Sequence, residues 1–325
     1  MSLNTGRYCA GDIAKFAKRL FDIANHKPLQ QLIPPVPENA APLLAELYRG
    51  DPPDAYTAPV RVQRDGIDRN QAWVAFSGGK DSTAVAIKLK DQGHRVTLFN
   101  VVGMNPAYPE ELKAAKATAA RLGCRLKIME AAITQAQEYV ENPAKNQVIL
   151  GLMIDAGLKA PAAGTYAMGI MTTEEAADVA FEWGYSDAIE MQRAAKAAYE
   201  DMAPGIEVKT ELLANERDSY QTIVERDEGL LQTIQSCMTP VRYRRMHHQR
   251  NRDRYGASIM ENRCGSCYKC AQEILILQGL GALPPHPKLK NHAIDVLVRN
   301  ATKLIGPHAE RMTTGEVVTY FTEGR

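Results

Sequence analysis

From Gln71 onward, short β-rich runs alternate with stretches whose apolar residues recur at helical spacing. Ala72 to Phe76 is an unbroken apolar run and predicts a buried strand. Thr83 to Gln92 predicts a helix, with Val85 and Leu89 four apart on one face. The rhythm then repeats. Arg95 to Val102 predicts the second strand, Pro109 to Leu122 a helix opened by its proline, and Arg125 to Met129 the third strand. Asn146 to Gly157 follows as helix and Thr165 to Met171 as the fourth strand, with further helices over Asp187–Tyr199 and Asp218–Leu231. This alternation predicts an α/β fold, a Rossmann-like parallel sheet with helices on both faces. A ligand is then expected at the carboxyl ends of the strands. The loop after the first strand, Asn100–Tyr108 and Gly169–Glu174 all belong at that edge.

Residues 1–70 follow a different pattern. Ile13 to Asn25 makes a short amphipathic helix with Phe16, Leu20 and Ile23 at helical spacing. Prolines cluster at 28–37 and 52–59, and Ala40 to Tyr48 forms another short helical stretch between them. This zone reads as an accessory arm that packs on the main domain or on a second subunit, with a partner-binding or substrate-covering role as the sharper alternative. Three regions result: an N-terminal arm over 1–70, an α/β domain over 71–235, and a cysteine-containing helical region over 236–325.

Composition adds bounds. With 325 residues, 45% hydrophobic and 24% charged, the chain has the profile of a soluble globular protein. A net charge of +1 argues neither for nor against a nucleic-acid partner. No apolar run is long enough to span a membrane, and Arg7, Asp12, Lys15, Lys18 and Arg19 interrupt any leader-like segment. A cytoplasmic location is expected.

The hexapeptide Ser77-Gly78-Gly79-Lys80-Asp81-Ser82 sits between the first strand and its helix. Such a turn exposes backbone N–H groups at the positive end of a helix dipole, a ready site for an anion. Glycines permit close approach of the backbone, Ser77 and Ser82 add hydroxyls, and Lys80 adds a point charge. Asp81 is suited to orient a metal or to cap the helix. An ordinary Gly-Gly turn with a Ser or Asp cap is the plainer alternative. The spacing does not fit the P-loop of kinases and GTPases. It resembles instead the pyrophosphatase loop (PP-loop) of the N-type ATP pyrophosphatases, which cleave ATP between the α and β phosphates.

A second constellation lies far downstream. Cys264, Cys267 and Cys270 repeat at two-residue spacing, with Cys237 as a candidate fourth ligand. Four thiolates suit a structural tetrahedral zinc ion. An iron–sulfur cluster is the competing chemistry, and the closed set of thiols favours zinc. Cys124 reads as a core residue and Cys9 as incidental. Between Cys237 and Cys264 lie Arg242, Arg244, Arg245, Arg250, Arg252 and Arg254, with His247, His248, Tyr243 and Tyr255 interleaved. Basic residues with aromatics suit phosphate backbones and bases. A solvated loop, or arginines that pair with Asp253 and other acids, is the alternative, and ATP phosphates are a further target for one or two of them.

With loop and thiols together, residues 73–279 resemble the 7-cyano-7-deazaguanine synthase family of the PP-loop superfamily. The likeness extends to Pro143-Ala144-Lys145-Asn146 and to Gly184-Tyr185-Ser186-Asp187. It implies that a deazaguanine carboxylate attacks ATP, that ammonia converts the adenylate to an amide, and that a second ATP activates the amide to the nitrile. It also implies that Ser77 to Ser82 hold pyrophosphate with Mg²⁺, with Lys80 and Asp81 carrying the chemistry. Gly169 and the second strand would hold adenosine, and Cys237, Cys264, Cys267 and Cys270 would hold Zn²⁺. A homodimer is expected. The chain begins Met1-Ser2, without the N-terminal cysteine of glutamine-splitting relatives, so free ammonia or a partner's amine is the expected nitrogen source.

The chain departs from the family where the acceptor is chosen. Met104-Asn105-Pro106 follows Gly103 in place of the usual polar run, and both the Gly169–Gly184 spacing and the Cys237–Cys264 insert are longer than usual. A ligase that stops at the amide, or that couples the deazaguanine to an amine of a partner molecule, is therefore an alternative. A PP-loop enzyme acting on a tRNA base and a catalytically silent nucleotide-binding regulator are the others.

Overall fold

The computed structural model describes residues 13, 15–18, 20, 66–102, 111–130, 145–158, 162–169, 189–237, 241–256, 260 and 263–323. The alternating segment folds as β1 Asp68–Ala75, α1 Lys80–Asp91, β2 Arg95–Val102, α2 Glu111–Leu122, β3 Arg125–Glu130, α3 Lys145–Gly157, β4 Ala163–Met168, α4 Ile189–Met202 and β5 Glu207–Lys209. The strands form one five-stranded sheet in the order β3-β2-β1-β4-β5, parallel throughout. From β1 the chain builds outward through β2 and β3, then returns to lay β4 on the other side of β1. This reversal opens a crevice at the carboxyl ends of β1 and β4, where α/β sheets bind ligands.

Both faces of the sheet are covered. Ala72 and Val74 of β1 pack with Val85 and Leu89 of α1, while Trp73 and Ala75, pointing the opposite way, pack with Met153 and Ile154 of α3 and Tyr199 of α4. The strand period of two thus divides one strand between two cores. Residues 13, 15–18 and 20 are helical. Ile13, Phe16, Ala17 and Leu20 are buried in the α3/α4 core, and the Phe16 ring meets Tyr199 edge-on at 5.8 Å. Ile23, the proline clusters and Ala40–Tyr48 lie outside the described residues, as do Asn105–Tyr108 and Gly184–Asp187.

Several boundaries shift from those expected, each for a local reason. The helix expected from Asp218 starts at Glu216, because the Asn215 side chain accepts from the Asp218 N–H at 2.9 Å and caps it there. This helix, α5 Glu216–Asp227, ends where the Asp227 carboxylate caps a 3₁₀ turn, Glu228–Gln232. β4 stops at Met168, and β5 was not foreseen: three residues carry too little pattern.

The arginine-rich insert contains a fifteen-residue helix, α6 Val241–Tyr255, so the solvated-loop alternative does not hold over those residues. Among the described residues three further α-helices follow: α7 Tyr268–Gly279, α8 Pro287–Ile305 and α9 Thr314–Glu323. On α8, Leu289, Ala293, Val296 and Leu297 recur at helical spacing and are buried against Ala271 and Ile274 of α7 and Phe321 of α9. The other side of α7 sends Ile276 and Leu277 into the sheet core. α7 is therefore the shared wall between the sheet and the terminal helices. No helix among the described residues is long and apolar enough to cross a membrane.

Candidate functional site

The Ser77–Ser82 loop lies where β1 ends, and its glycines are dictated by sterics. Gly78 has φ +79°, and a Cβ there would sit 2.5 Å from the Ala115 backbone nitrogen. On its other side the Gly78 carbonyl accepts from the Gln235 N–H at 2.8 Å. The loop is thus held between α2 and the segment leading to Cys237. Gly79 is the N-cap of α1, and no side chain caps the helix there. The N–H groups of a first helical turn have no acceptor within their own helix, so an anion can take them. Ser82 and Thr83 do not compete for these amides, since both hydroxyls donate back to the Gly79 carbonyl.

The loop opens on a cleft of about 290 Å³. Ser77, Gly79, Asp81 and Ser82 line one wall, Asn100 and Val101 the end of β2, Lys145 and Asn146 the start of α3, and Gly169 the end of β4. Asn100 is buried and donates to the Phe76 carbonyl at 2.7 Å, which fixes the spacing of β1 and β2 at the rim. Gly169 has no room for a side chain: a Cβ would lie 2.4 Å from the Ser82 nitrogen. Here the expected residues from three separate strands do converge. The turn at 143–146 contributes Lys145 and Asn146, while 143 and 144 lie outside the described residues.

Two residues that the sequence reading overlooked complete the charge pattern. Glu216, at the start of α5, is buried and receives Lys80 at 2.5 Å on one oxygen and Lys269 at 3.0 Å on the other. Burial alone would raise its carboxyl. The adjacent Lys269 and Lys80 more than offset this and hold it below the usual carboxylate range. Lys80 also bridges both oxygens of Asp81 at 2.7 Å, and the Ser219 hydroxyl donates to Asp81 at 2.8 Å. Asp81 is about a quarter exposed, so its carboxylate is aimed yet reachable. α5 is itself fixed to α1 by Lys88, which donates to both oxygens of Asp218 at 2.7 and 2.8 Å. Lys269 lines the same cleft. Its position between Cys267 and Cys270 was the available signal, because a charged residue inside a tight cysteine knuckle has few places to point.

The four thiols form one cluster. The sulfurs of Cys237, Cys264, Cys267 and Cys270 all lie within 4.8 Å of one another, with 4.0 Å between Cys237 and Cys267 and 3.7 Å between Cys264 and Cys270. A tetrahedron with sulfurs about 2.3 Å from its centre has edges of about 3.8 Å. The residues present therefore fit a metal such as zinc. The N–H groups of Ser266 and Cys267 point at the Cys264 sulfur at 3.3 and 3.2 Å, an arrangement that stabilises a thiolate. Asn251 of α6 donates to the Cys264 carbonyl at 2.6 Å and to the Ser266 hydroxyl at 2.7 Å, fixing the knuckle from outside.

Cleft and cluster are joined by buried polar contacts. Arg263 and Glu273 are 2% and 1% exposed and form a two-pronged ion pair at 2.6 and 3.0 Å. The remaining guanidinium donors reach the carbonyls of Leu231 and Ile234, and Ser236 donates to Glu273. The segment that holds Gly78 is thereby tied to the knuckle and to α7. The expected site residues thus group into two constellations, with Lys269 reaching from the second into the first.

No protein-family model matches the chain, and a search of functionally characterised proteins found no similar sequence.

Proposed function

We propose that the chain is an ATP-dependent adenylating ligase acting on a deazaguanine carboxylate, of the 7-cyano-7-deazaguanine synthase type. The observation that carries this reading is the uncapped Ser77–Ser82 loop at the end of a central parallel strand, opening on a cleft that Lys269 of the thiol knuckle also lines. A phosphate loop and a four-thiol knuckle sharing one cavity are the two features on which the sequence resemblance rests.

In this reading the first-turn amides of α1, with Ser77 and Ser82, hold the β and γ phosphates of ATP. Asp81 is the carboxylate placed to meet Mg²⁺, whose charge would draw off negative charge developing on pyrophosphate. The substrate carboxylate oxygen attacks the α-phosphorus, and the bond to the bridging oxygen of the β-phosphate breaks, releasing pyrophosphate. Ammonia then attacks the acyl carbon, sheds a proton and expels AMP, giving the amide. A second adenylation on the amide oxygen, followed by loss of AMP and a proton, leaves the nitrile. The protein's residues supply position and charge, and no nucleophile of its own is needed.

Glu216 gives the pair of lysines a defined resting place. Without it, Lys80 and Lys269 would repel each other across a half-buried space. With it, Lys269 is held at the cleft wall, while Lys80, only 5% exposed, gives its donors to Asp81 and Glu216. Lys269→Met is expected to lower kcat/KM for ATP about 10- to 100-fold, the range for losing one hydrogen bond to a charged group. Its metal content should match wild type. Unaltered kinetics would remove Lys269 from the nucleotide site.

The reading as a whole is tested by incubating the protein with Mg²⁺, ATP, ammonia and 7-carboxy-7-deazaguanine, following AMP and product mass. AMP with a product lighter than the acid by the change from carboxylate to nitrile is the expected result. AMP with only an amide indicates a ligase that stops one step earlier. Absence of AMP dependent on the deazaguanine would overturn the proposal.

A further inference from the structure

α6 has no evident role in the chemistry above, yet its two faces differ sharply. The inner face is polar and anchored. Arg244 reaches Gln235, His248 bonds the Arg263 carbonyl at 2.8 Å, and Asn251 holds the knuckle. Away from that face, Arg250 and Arg254 are exposed on one flank and Arg245 and Arg252 on the other, and Asp253 is the single acid in the helix. The chain's net charge is only +1, so this is a local concentration of charge and not a generally basic protein. The helix contains six arginines and no lysine. Guanidinium groups match phosphate geometry with paired donors and stack on flat rings, whereas ammonium groups do neither as well.

Exposed apolar groups interrupt this cationic surface. Tyr243 and Met246, one turn apart, are 45% and 60% exposed. With Arg250 and Arg254 they follow a single stripe, at intervals of three, four and four residues, about 16 Å long at 1.5 Å per residue. A helix that only needed to be solvated would have no reason to present a large ring and a thioether between arginines. Alternating ring faces and guanidinium groups suit unpaired bases on a phosphate backbone, and a duplex would hide the base faces that Tyr243 could stack on. The helix that carries the stripe is tied to the loop through its inner face: Arg244 donates to the side chain of Gln235, whose N–H holds the Gly78 carbonyl.

We infer that the outer face of α6 is a docking surface for single-stranded nucleic acid. The surface stands independently of the ligase reading. It would hold a polynucleotide on the protein whether that strand is an acceptor or a regulator.

The test is fluorescence anisotropy with a labelled 20-nucleotide oligouridylate, without ATP or deazaguanine, using the full chain with its metal. Contacts to three or four phosphates predict a 20- to 50-fold loss of affinity between about 50 and 200 mM salt, from a slope of about −0.7 per phosphate contacted. The triple variant Arg245→Gln, Arg250→Gln, Arg254→Gln should abolish most of that dependence. Tyr243→Ala should weaken binding about tenfold with the salt slope unchanged, as expected for one lost stacking contact. Both variants should keep wild-type metal content and helicity; Tyr243→Ala alone carries the test if the triple variant does not. No binding at 50 mM salt would overturn the proposal. So would displacement of the oligonucleotide by a poly-glutamate peptide at equal charge concentration, which would point to an acidic protein partner. Normal AMP formation on the small substrate with no oligonucleotide binding removes the docking surface alone; the converse result removes the ligase reading alone.

Discussion

Cys267→Ser is expected to yield a protein that has lost its metal ion, with unfolding of the knuckle that carries Lys269. Four thiolates in a closed tetrahedral set contribute on the order of 10–16 kcal/mol in small zinc peptides, more than the net stability of most domains. Loss of one ligand leaves three sulfurs, all of them buried, crowded around an incomplete site. Without the ion these buried sulfurs take up protons, and the bonds that closed the knuckle are gone. The effect should spread beyond the knuckle, because α7 forms one wall of two hydrophobic cores. Elemental analysis and thermal unfolding check this. Wild-type metal stoichiometry in the variant would refute ligation by Cys267, and a chelator that leaves the melting of the unaltered protein unchanged would refute a structural role for the ion.

Asp81→Ala is the complementary case, with a large loss of chemistry and little loss of structure. The side chain is a cleft-facing carboxylate held by Lys80 and Ser219, and it does not cap α1. Its removal takes away the loop's own negative charge and releases Lys80 toward Glu216, which already binds it. AMP formation should fall by at least about a hundredfold, the scale for removing one preorganised electrostatic group. Metal content and melting should stay close to wild type. Asp81→Asn keeps an oxygen for Ser219 but not the charge, so it should resemble the alanine variant in turnover. Unchanged AMP formation in either would falsify the assigned role.

The pattern of apolar residues predicted β1, β2 and β4 well because these inner strands carry long buried runs, whereas the short edge strand β5 carries none. β2 was legible to the residue, as a run rich in β-branched and aromatic side chains between Gly93 and Gly103. α6 escaped for a physical reason: its buried positions are Arg244, Asn251 and Tyr255, with His248 half-buried beside them. These four recur at 244, 248, 251 and 255, a helical period written in hydrogen-bonding residues. Counting only apolar residues misses it. Glu216 was invisible for another reason. It lies far from Lys80 in sequence on a strongly polar helix, and only the packing of α5 on α1 brings them together. The cysteine spacing was legible as a metal site, but its consequence for the cleft, through Lys269, required the fold.

The clamp on Gly78 has a bearing on how a nucleotide would be taken up. With Ala115 against one side and the Gln235 amide on the other, the loop's shape is set before any ligand arrives. A loop that must order itself around its ligand forfeits affinity to that ordering. Here the entropic cost has already been met during folding. Association should therefore be limited by encounter and desolvation rather than by ordering of the loop.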